Sequence, residues 1–595
     1  MTTVSRMPSP RREVAGAAAA VRLVELRVLD GPNLYFTRPA IKVVLAVPGW
    51  LGAADDRVLA VAQRLGVPPG TKTGPPQSEQ RRRVVARIAA YLTRRLAVAG
   101  GARRLAVRAR PGAERDQIVV AFPWRRRGAA EALAHEVADG MAGLLRRSSD
   151  RLIAAAGERL VAVPPGEEPT VIDPEVPVVQ VTGTNGKTTT VRLLAHLVRS
   201  AGRTVAYSST DGVYRGDDEL VEAGDYSGFG GAARALAQHP DVAVLETARG
   251  GVLLRGVGVR HNDVAVVTNV SEDHLGLHGV DTVDQLAEVK AIVTRITRPE
   301  GWDVLNADDP RVLAMRRHAT GRPWLFSADP HHPAIREAVA DGGRGMTVLD
   351  GRLAWVERHE THPLAALVDI PVTLAGISRT NLQNAMAAAA AGLAIGLPER
   401  AVVRGLKTFV LDPVRNPGRT NLFGVDGRIV VIDYAHNEAG MIGLAEVLDG
   451  LRREGREVWL AICTAGDRTD RILHAFAFRA AVGSDHLAVA ELLHYLRGRS
   501  RADIVERLRE GAREAGVEDV PSYDDELVAL QTMLELAAEG DVVGVTALGM
   551  RPEIFAWLET AGADRLGPAH VRRIVRAVQA SRRTATTRAP SSPGS

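Results

Sequence analysis

Hydrophobic positions along the chain fall into short apolar runs separated by amphipathic stretches, and the rhythm is clearest from residue 177 onward. PVVQVTG (177–183) is followed by RTVAYSS, VAVLET and VAVVTNV, each leading into a turn or an amphipathic segment. Such runs alternating with helices predict a parallel, doubly wound α/β sheet. A second series starts after NPGRTNLFG, with RIVVIDYA, VWLAICTAG, HLAVAEL and DVVGVTAL separated by helices. It predicts a separate, smaller α/β domain. Residues 1 to about 165 read as mixed α+β with arginine-rich helices, and PPGEEP (164–169) predicts a linker. The expected domains are therefore 1–165, 171–415 and 416–565. A basic tail, 566–595, follows; it ends in the polar, aperiodic SRRTATTRAPSSPGS and is expected to be disordered.

Composition narrows the class. A length of 595 residues suits about three domains. The net charge of +5 conceals an acidic body between basic ends. That asymmetry suggests an anionic partner or substrate, although solvated arginine-rich faces account for it equally well. Nucleic acid is not the expected partner, because aromatic residues make up only 4% and no base-reading motif is present. No apolar run approaches the roughly 20 residues of a membrane span, and no signal-peptide cleavage pattern follows AAAAVRLVEL. The expected setting is cytoplasmic, without a membrane partner. The single cysteine, Cys463, excludes internal disulfides and a cysteine-rich metal site, and it reads as a strand residue.

The first candidate for chemistry is VTGTNGKTTT (181–190). A buried strand ends at Thr182, Gly183 and Gly186 let the backbone turn its N–H groups toward a phosphate, and a helix then begins with its positive end facing the same point. Lys187 would neutralise phosphate oxygens and Thr188 would ligate Mg²⁺. Where the common phosphate loop has its first glycine, this chain has Val181, so the loop is short. A chance Gly-Lys-Thr on a surface turn is the competing explanation. Glu246, at the end of VAVLE, would face this loop and hold Mg²⁺ directly or through water.

The short loop TGTNGKTTT resembles that of the Mur ligase superfamily, and further motifs extend the resemblance over about residues 171–560. They are SSTDGVYRGD (208–217), VLETARGGVLLRG (244–256), TNVSEDHLGLHG (268–279), VLNADDP (304–310), NLQNAMAAAA (381–390), NPGR (416–419), DYAHN (433–437) and GDRTD (466–470). Within the superfamily, TDG, ETARGG and LNADDP are most similar to the Mur-type C-terminal half of cyanophycin synthetase. The resemblance implies a P-loop central domain with a parallel sheet, a smaller Rossmann-like C-terminal domain, ATP and Mg²⁺ as cofactors, and ligation through an acyl phosphate. It places Gly183, Thr184, Asn185, Gly186, Lys187, Thr188 and Thr189 on the phosphates, Asn384 on the adenine, Arg419 on the γ-phosphate and Asp433 on the ribose. It assigns Thr188, Glu246, His274 and a carbamylated Lys290 to metal, so that Lys187, His274, Lys290 and Arg419 are the expected catalytic set. A solvated helix lysine is the alternative for Lys290, and a helix-capping role the alternative for Asn381. His436 is expected near the phosphates. Asp467, Arg468, Arg497 and Arg499 are expected at the amine site, with surface charge as the alternative. This chain has Glu438 where the family usually continues DYAHN with proline.

Two N-terminal stretches, ELRVLDGPNLYFTRPAIKV (25–43) and RDQIVVAFPWRRRGAAEALAHEVADGM, resemble the beginning and end of the cyanophycin synthetase N-terminal domain, without the ATP-grasp region that follows it there. The expected function is an ATP-dependent ligase joining an amino acid, with arginine the leading candidate, to a carboxylate of an acidic peptide or metabolite. A separate ATP-grasp ligase and a homo-oligomeric state are the expected partners. The alternatives are a folylpolyglutamate- or peptidoglycan-type ligase and a non-catalytic ATP-binding accessory subunit.

Overall fold

The structure, a computed structural model, describes residues 21–588 apart from 274, 359 and 493, with side chains to 583. The chain divides into two compact units. The first comprises the residues up to Asp30 together with Arg38–Thr170. It is built on an antiparallel sheet in the order Arg22–Leu29, Ala40–Ala46, Gln117–Pro123, Arg108–Pro111. The long helix Glu79–Ala99 contributes Val85, Ile88, Leu92 and Leu96 to its core. The stretch 164–169, expected to be a linker, lies just before the boundary between the units at Thr170 and is hydrogen-bonded to the first unit. Glu167 O accepts from Arg127 N (2.9 Å) and Pro165 O from Ala129 N (3.2 Å), which satisfies first-turn N–H groups of the helix Arg127–Gly143.

The second unit holds Val171 onward and also the short segment Gly31–Thr37. Its large sheet has eleven strands. Seven run parallel in the order Arg344–Leu349, Arg322–Phe326, Thr297–Asn306, Asn262–Val267, Val178–Thr182, Val242–Glu246, Val205–Ser209. Alternate residues serve opposite cores, which is why these strands read as unbroken apolar runs. Val179, Val181, Val264 and Val266 join one cluster, while Val178, Ala265 and Val267 join the other. The helices Lys187–Ser200 and Arg379–Ala394 cover the first face through Leu193, Leu194, Met386 and the alanine run 387–391. A seven-stranded sheet follows, with a parallel core of His486–Ala490, Val458–Ile462, Val542–Thr546 and Arg428–Asp433. Cys463 comes directly after its strand and is buried.

The tail corrects the sequence expectation. Pro568–Arg588 is a helix, and Val571, Ile574, Val575 and Val578 are buried in the main core. Their i, i+3, i+4, i+7 spacing is an amphipathic stripe that the surrounding arginines and the Ser/Thr/Pro-rich end concealed. Residues 589–595 lie outside the described residues.

Candidate active site

A cleft of about 660 Å³ lies where the two sheets of the second unit present the carboxyl ends of their parallel strands. From the large sheet come Gly183–Thr189, Glu246, Arg249 and Asp273; from the smaller sheet come Asp433, His436, Asp467, Arg468 and Leu548.

The loop after Val178–Thr182 is held from behind by the loop after Asn262–Val267. Thr184 N donates to Asn269 O (2.9 Å). Asn185 N donates to Asn269 Oδ1 (2.9 Å), and Thr268 Oγ1 to Asn185 O (2.6 Å). Gly186 has φ 85° and caps the helix Lys187–Ser200. A Cβ there would sit 2.1 Å from Asn384 Oδ1, so glycine is required on both counts. Thr189 Oγ1 accepts from Asn416 Nδ2 at 3.4 Å.

Thr188 Oγ1 donates to Glu246 Oε2 at 2.8 Å, both residues being buried. Glu246 Oε1 accepts from Thr210 Oγ1 at 2.8 Å. A hydroxyl and a carboxylate converging at a helix N-terminus form a set of hard oxygen donors that suits Mg²⁺. Lys187 Nζ donates to Thr184 O (2.9 Å), and Lys290 Nζ to Gly183 O (2.6 Å). Lys290 is thus not a solvated helix lysine. It is 5% exposed, and burial, reinforced by the Lys187 charge, pushes its ammonium well below the usual lysine range. An amine kept from charging is the form that can react with carbon dioxide. His274 lies outside the described residues, but its neighbour Asp273 lines the cleft and faces His436 Nε2 (3.6 Å) and Arg468 Nη2 (3.5 Å).

Asn384 lines the cleft beside Gly186 and donates from Nδ2 to Asn381 Oδ1 at 3.1 Å. Asn381 is not the cap of its helix. Ser378 holds that position, its side chain accepting from Asn381 N at 3.3 Å. Asp433 accepts from Thr420 Oγ1 (2.7 Å) and Ala435 N (2.8 Å), and burial raises its carboxyl above the ordinary value despite those bonds. Arg419 lines the cleft over the Tyr434 ring, 5.1 Å from its centroid, and its buried Nε has no hydrogen-bond partner among the described residues. A guanidinium on the cleft wall suits an anionic ligand.

Of the four residues expected at an amine site, Asp467, Arg468 and Arg497 line the cleft. Arg499 instead donates to Gly466 O (3.1 Å) and Arg468 O (3.1 Å) and pairs with Asp470 and Asp503, bracing the loop from outside. Glu438, in place of proline, starts the helix Glu438–Leu451 and pairs with Arg479 at 2.9 Å. Three contributors were not singled out from the sequence. Asn437 caps that helix and exchanges amide hydrogen bonds with Asn185 (3.0 and 3.1 Å). Arg249 and Asp273 stand inside quoted motifs, ETARGG and SEDH, which was the available signal.

This arrangement agrees with what the chain is similar to. The Mur ligase middle domain matches residues 181–392 and the Mur ligase, glutamate ligase domain matches residues 418–549. Cyanophycin synthetase of Geminocystis herdmanii is 37% identical over 374 residues, covering 62% of this chain and 42% of that protein. UDP-N-acetylmuramyl-tripeptide synthetase of Deinococcus radiodurans is 30% identical over 411 residues, covering 65% of this chain and 77% of that protein. E. coli FolC, solved in complex with DHPP and ADP, shares the fold, with a TM-score of 0.50 at 22% identity over 65% of this chain and 90% of that one. The chain belongs to the Mur ligase family, whose members are ATP-dependent ligases that form amide bonds. It spans less than half the length of the cyanophycin synthetases it matches. Among the described residues no helix is long and apolar enough to cross a membrane.

Proposed function

We propose that the cleft activates a carboxylate with ATP as an acyl phosphate and joins it to the amine of an amino acid, with ADP and phosphate released. The observation that carries this reading is the Thr188–Glu246 hydrogen bond at the head of the phosphate-loop helix, with Lys187 and Lys290 both donating to carbonyls of that loop. Mg²⁺, held by Thr188 and Glu246, would offset phosphate charge when bound. The loop amides and Lys187 hold the β- and γ-phosphates, and Arg419 approaches the γ-phosphate from the smaller domain. Asn384 and Asp433 serve the adenine and ribose. Lys290, carbamylated, turns from a cation into an oxygen donor. With charge offset in this way, a substrate carboxylate can approach the triphosphate, and the protein acts by positioning and electrostatics rather than by supplying a nucleophile.

We take the amine to be basic, with arginine the leading candidate, and the carboxylate to belong to an acidic peptide or metabolite. Support comes from the TDG, ETARGG and LNADDP motifs, from the relatedness to cyanophycin synthetases, and from Asp225, Asp273 and Asp467 on the cleft wall. A separate ATP-grasp ligase would supply the backbone bond of such a peptide. The test is ADP release measured over a matrix of carboxylates (aspartate-rich peptides, glutamyl peptides, folates, muramoyl peptides) and amines (arginine, lysine, glutamate, diaminopimelate). An aspartyl peptide with arginine should raise turnover at least about tenfold over background. ATP binding with no pair raising turnover would sink the ligase reading, and a preference for folate with glutamate would overturn the substrate assignment.

A further inference from the structure

The turn Thr210-Asp211 joins the strand Val205–Ser209 to the short strand Gly212–Arg215. Thr210 holds Glu246 through its hydroxyl (2.8 Å) and its N–H (3.4 Å). The next residue, Asp211, points into a cluster of guanidinium groups that the sequence scatters over about 360 positions. Arg192 Nη2 lies 3.1 Å from Asp211 Oδ2, Arg551 Nη1 3.5 Å from Oδ1, and Arg419 Nη2 4.0 Å from Oδ2. Arg419 and Arg551 both sit over the Tyr434 ring, each 5.1 Å from its centroid. Only Arg419 and Tyr434 of this group line the cleft; Asp211, Arg192 and Arg551 stand behind them.

Three cations gathered around one carboxylate repel one another, and their side-chain exposures of 2% to 23% leave little water to screen them. Arg192 is fixed independently, since its Nη1 donates to Arg415 O at 2.8 Å, and Arg551 is anchored to Pro417 O at 3.3 Å. Among the described residues Arg419 has no such backbone anchor: beside the Tyr434 ring, Asp211 is its one ion-pair contact there, and its Nε has no hydrogen-bond partner among them. We propose that Asp211 is a positioning residue that aims Arg419 into the cleft, so that one turn couples the carboxylate holding the metal side, through Thr210, to the arginine on the phosphate side. This inference rests on the reading of Arg419 as the γ-phosphate contact.

The experiment compares dissociation constants for Mg·AMPPNP and ADP by calorimetry in the wild type, Arg419→Gln, Asp211→Asn and the double variant. Asp211→Asn should weaken AMPPNP about tenfold and leave ADP unchanged. Asp211→Glu should recover part of the loss, and Asp211→Asn should add nothing in the Arg419→Gln background. If Asp211 only tempers positive charge, Asp211→Asn will instead tighten both nucleotides, and the proposal is overturned. If Arg419→Gln leaves the AMPPNP/ADP ratio of dissociation constants unchanged, the γ-phosphate reading falls and this inference with it; if Arg419→Gln raises the ratio and Asp211→Asn does not, only the inference falls. A wild-type structure with AMPPNP decides the matter even should Asp211→Asn fail to fold. Asp211 within hydrogen-bond reach of Arg419 is expected, and a separation beyond about 5 Å would refute it.

Discussion

At the scale of single residues, burial decides what each polar group can do. Lys290 and Glu246 are both nearly inaccessible, yet each is tied to the phosphate loop, one through Gly183 O and the other through Thr188 Oγ1. These partners were legible because strand, turn and helix are contiguous from 178 to 200, and the motif carries its own geometry. The Asp211 cluster was not, because nothing in the local sequence says that Arg192, Arg419 and Arg551 meet. Asp303 shows burial acting on stability instead. It accepts from Thr297 Oγ1 (2.7 Å) and Gly321 N (2.9 Å), but burial outweighs both bonds and pushes its carboxyl from 3.8 up to about 7. Between those values the folded chain keeps a proton that the unfolded chain has lost. Stability from this group is therefore full below pH about 4 and declines as pH rises to about 7. Urea unfolding of the wild type relative to Asp303→Asn should lose roughly 3–5 kcal/mol over that window, and a pH-independent difference would contradict the assignment.

At the scale of elements, the continuous apolar runs made the parallel strands readable, and the two α/β series emerged in the expected order. The helix Pro568–Arg588 was obscured by composition, since arginine and threonine outnumber the four apolar residues that dock it. Similarly, Ser378 rather than Asn381 caps the helix Arg379–Ala394, a choice set by the backbone turn before it and not by residue type alone. Leu374, Ala375 and Gly376 in that turn all have positive φ, and the tail helix packs against the same segment. Ile574 is 3% exposed, so Ile574→Ala should cost about 2–5 kcal/mol in urea unfolding. Exposed Arg576→Ala should cost under about 0.5 kcal/mol. Equal small effects would mean that the helix does not dock in solution.

At the scale of the ligase unit, the cleft is assembled from two sheets and bridged above the phosphate loop. Asn185 meets Asn437, Asp273 meets His436 and Arg468, and Glu272 pairs with Arg471. Residues close to the phosphate loop thus contact the smaller domain, so both domains contribute to the cleft. Sequence motifs identified both walls of the cleft, but the bridging contacts depend on how the two domains meet and were not visible in either series alone. The central claim is that a carboxylate attacks the terminal phosphate of ATP before the amide forms. The direct measurement uses an aspartate-rich peptide labelled with ¹⁸O in its side-chain carboxylates, arginine as the amine, and mass analysis of the released phosphate. The account predicts ADP together with phosphate carrying one ¹⁸O for each amide made; turnover that releases unlabelled phosphate, or AMP and pyrophosphate, would contradict it.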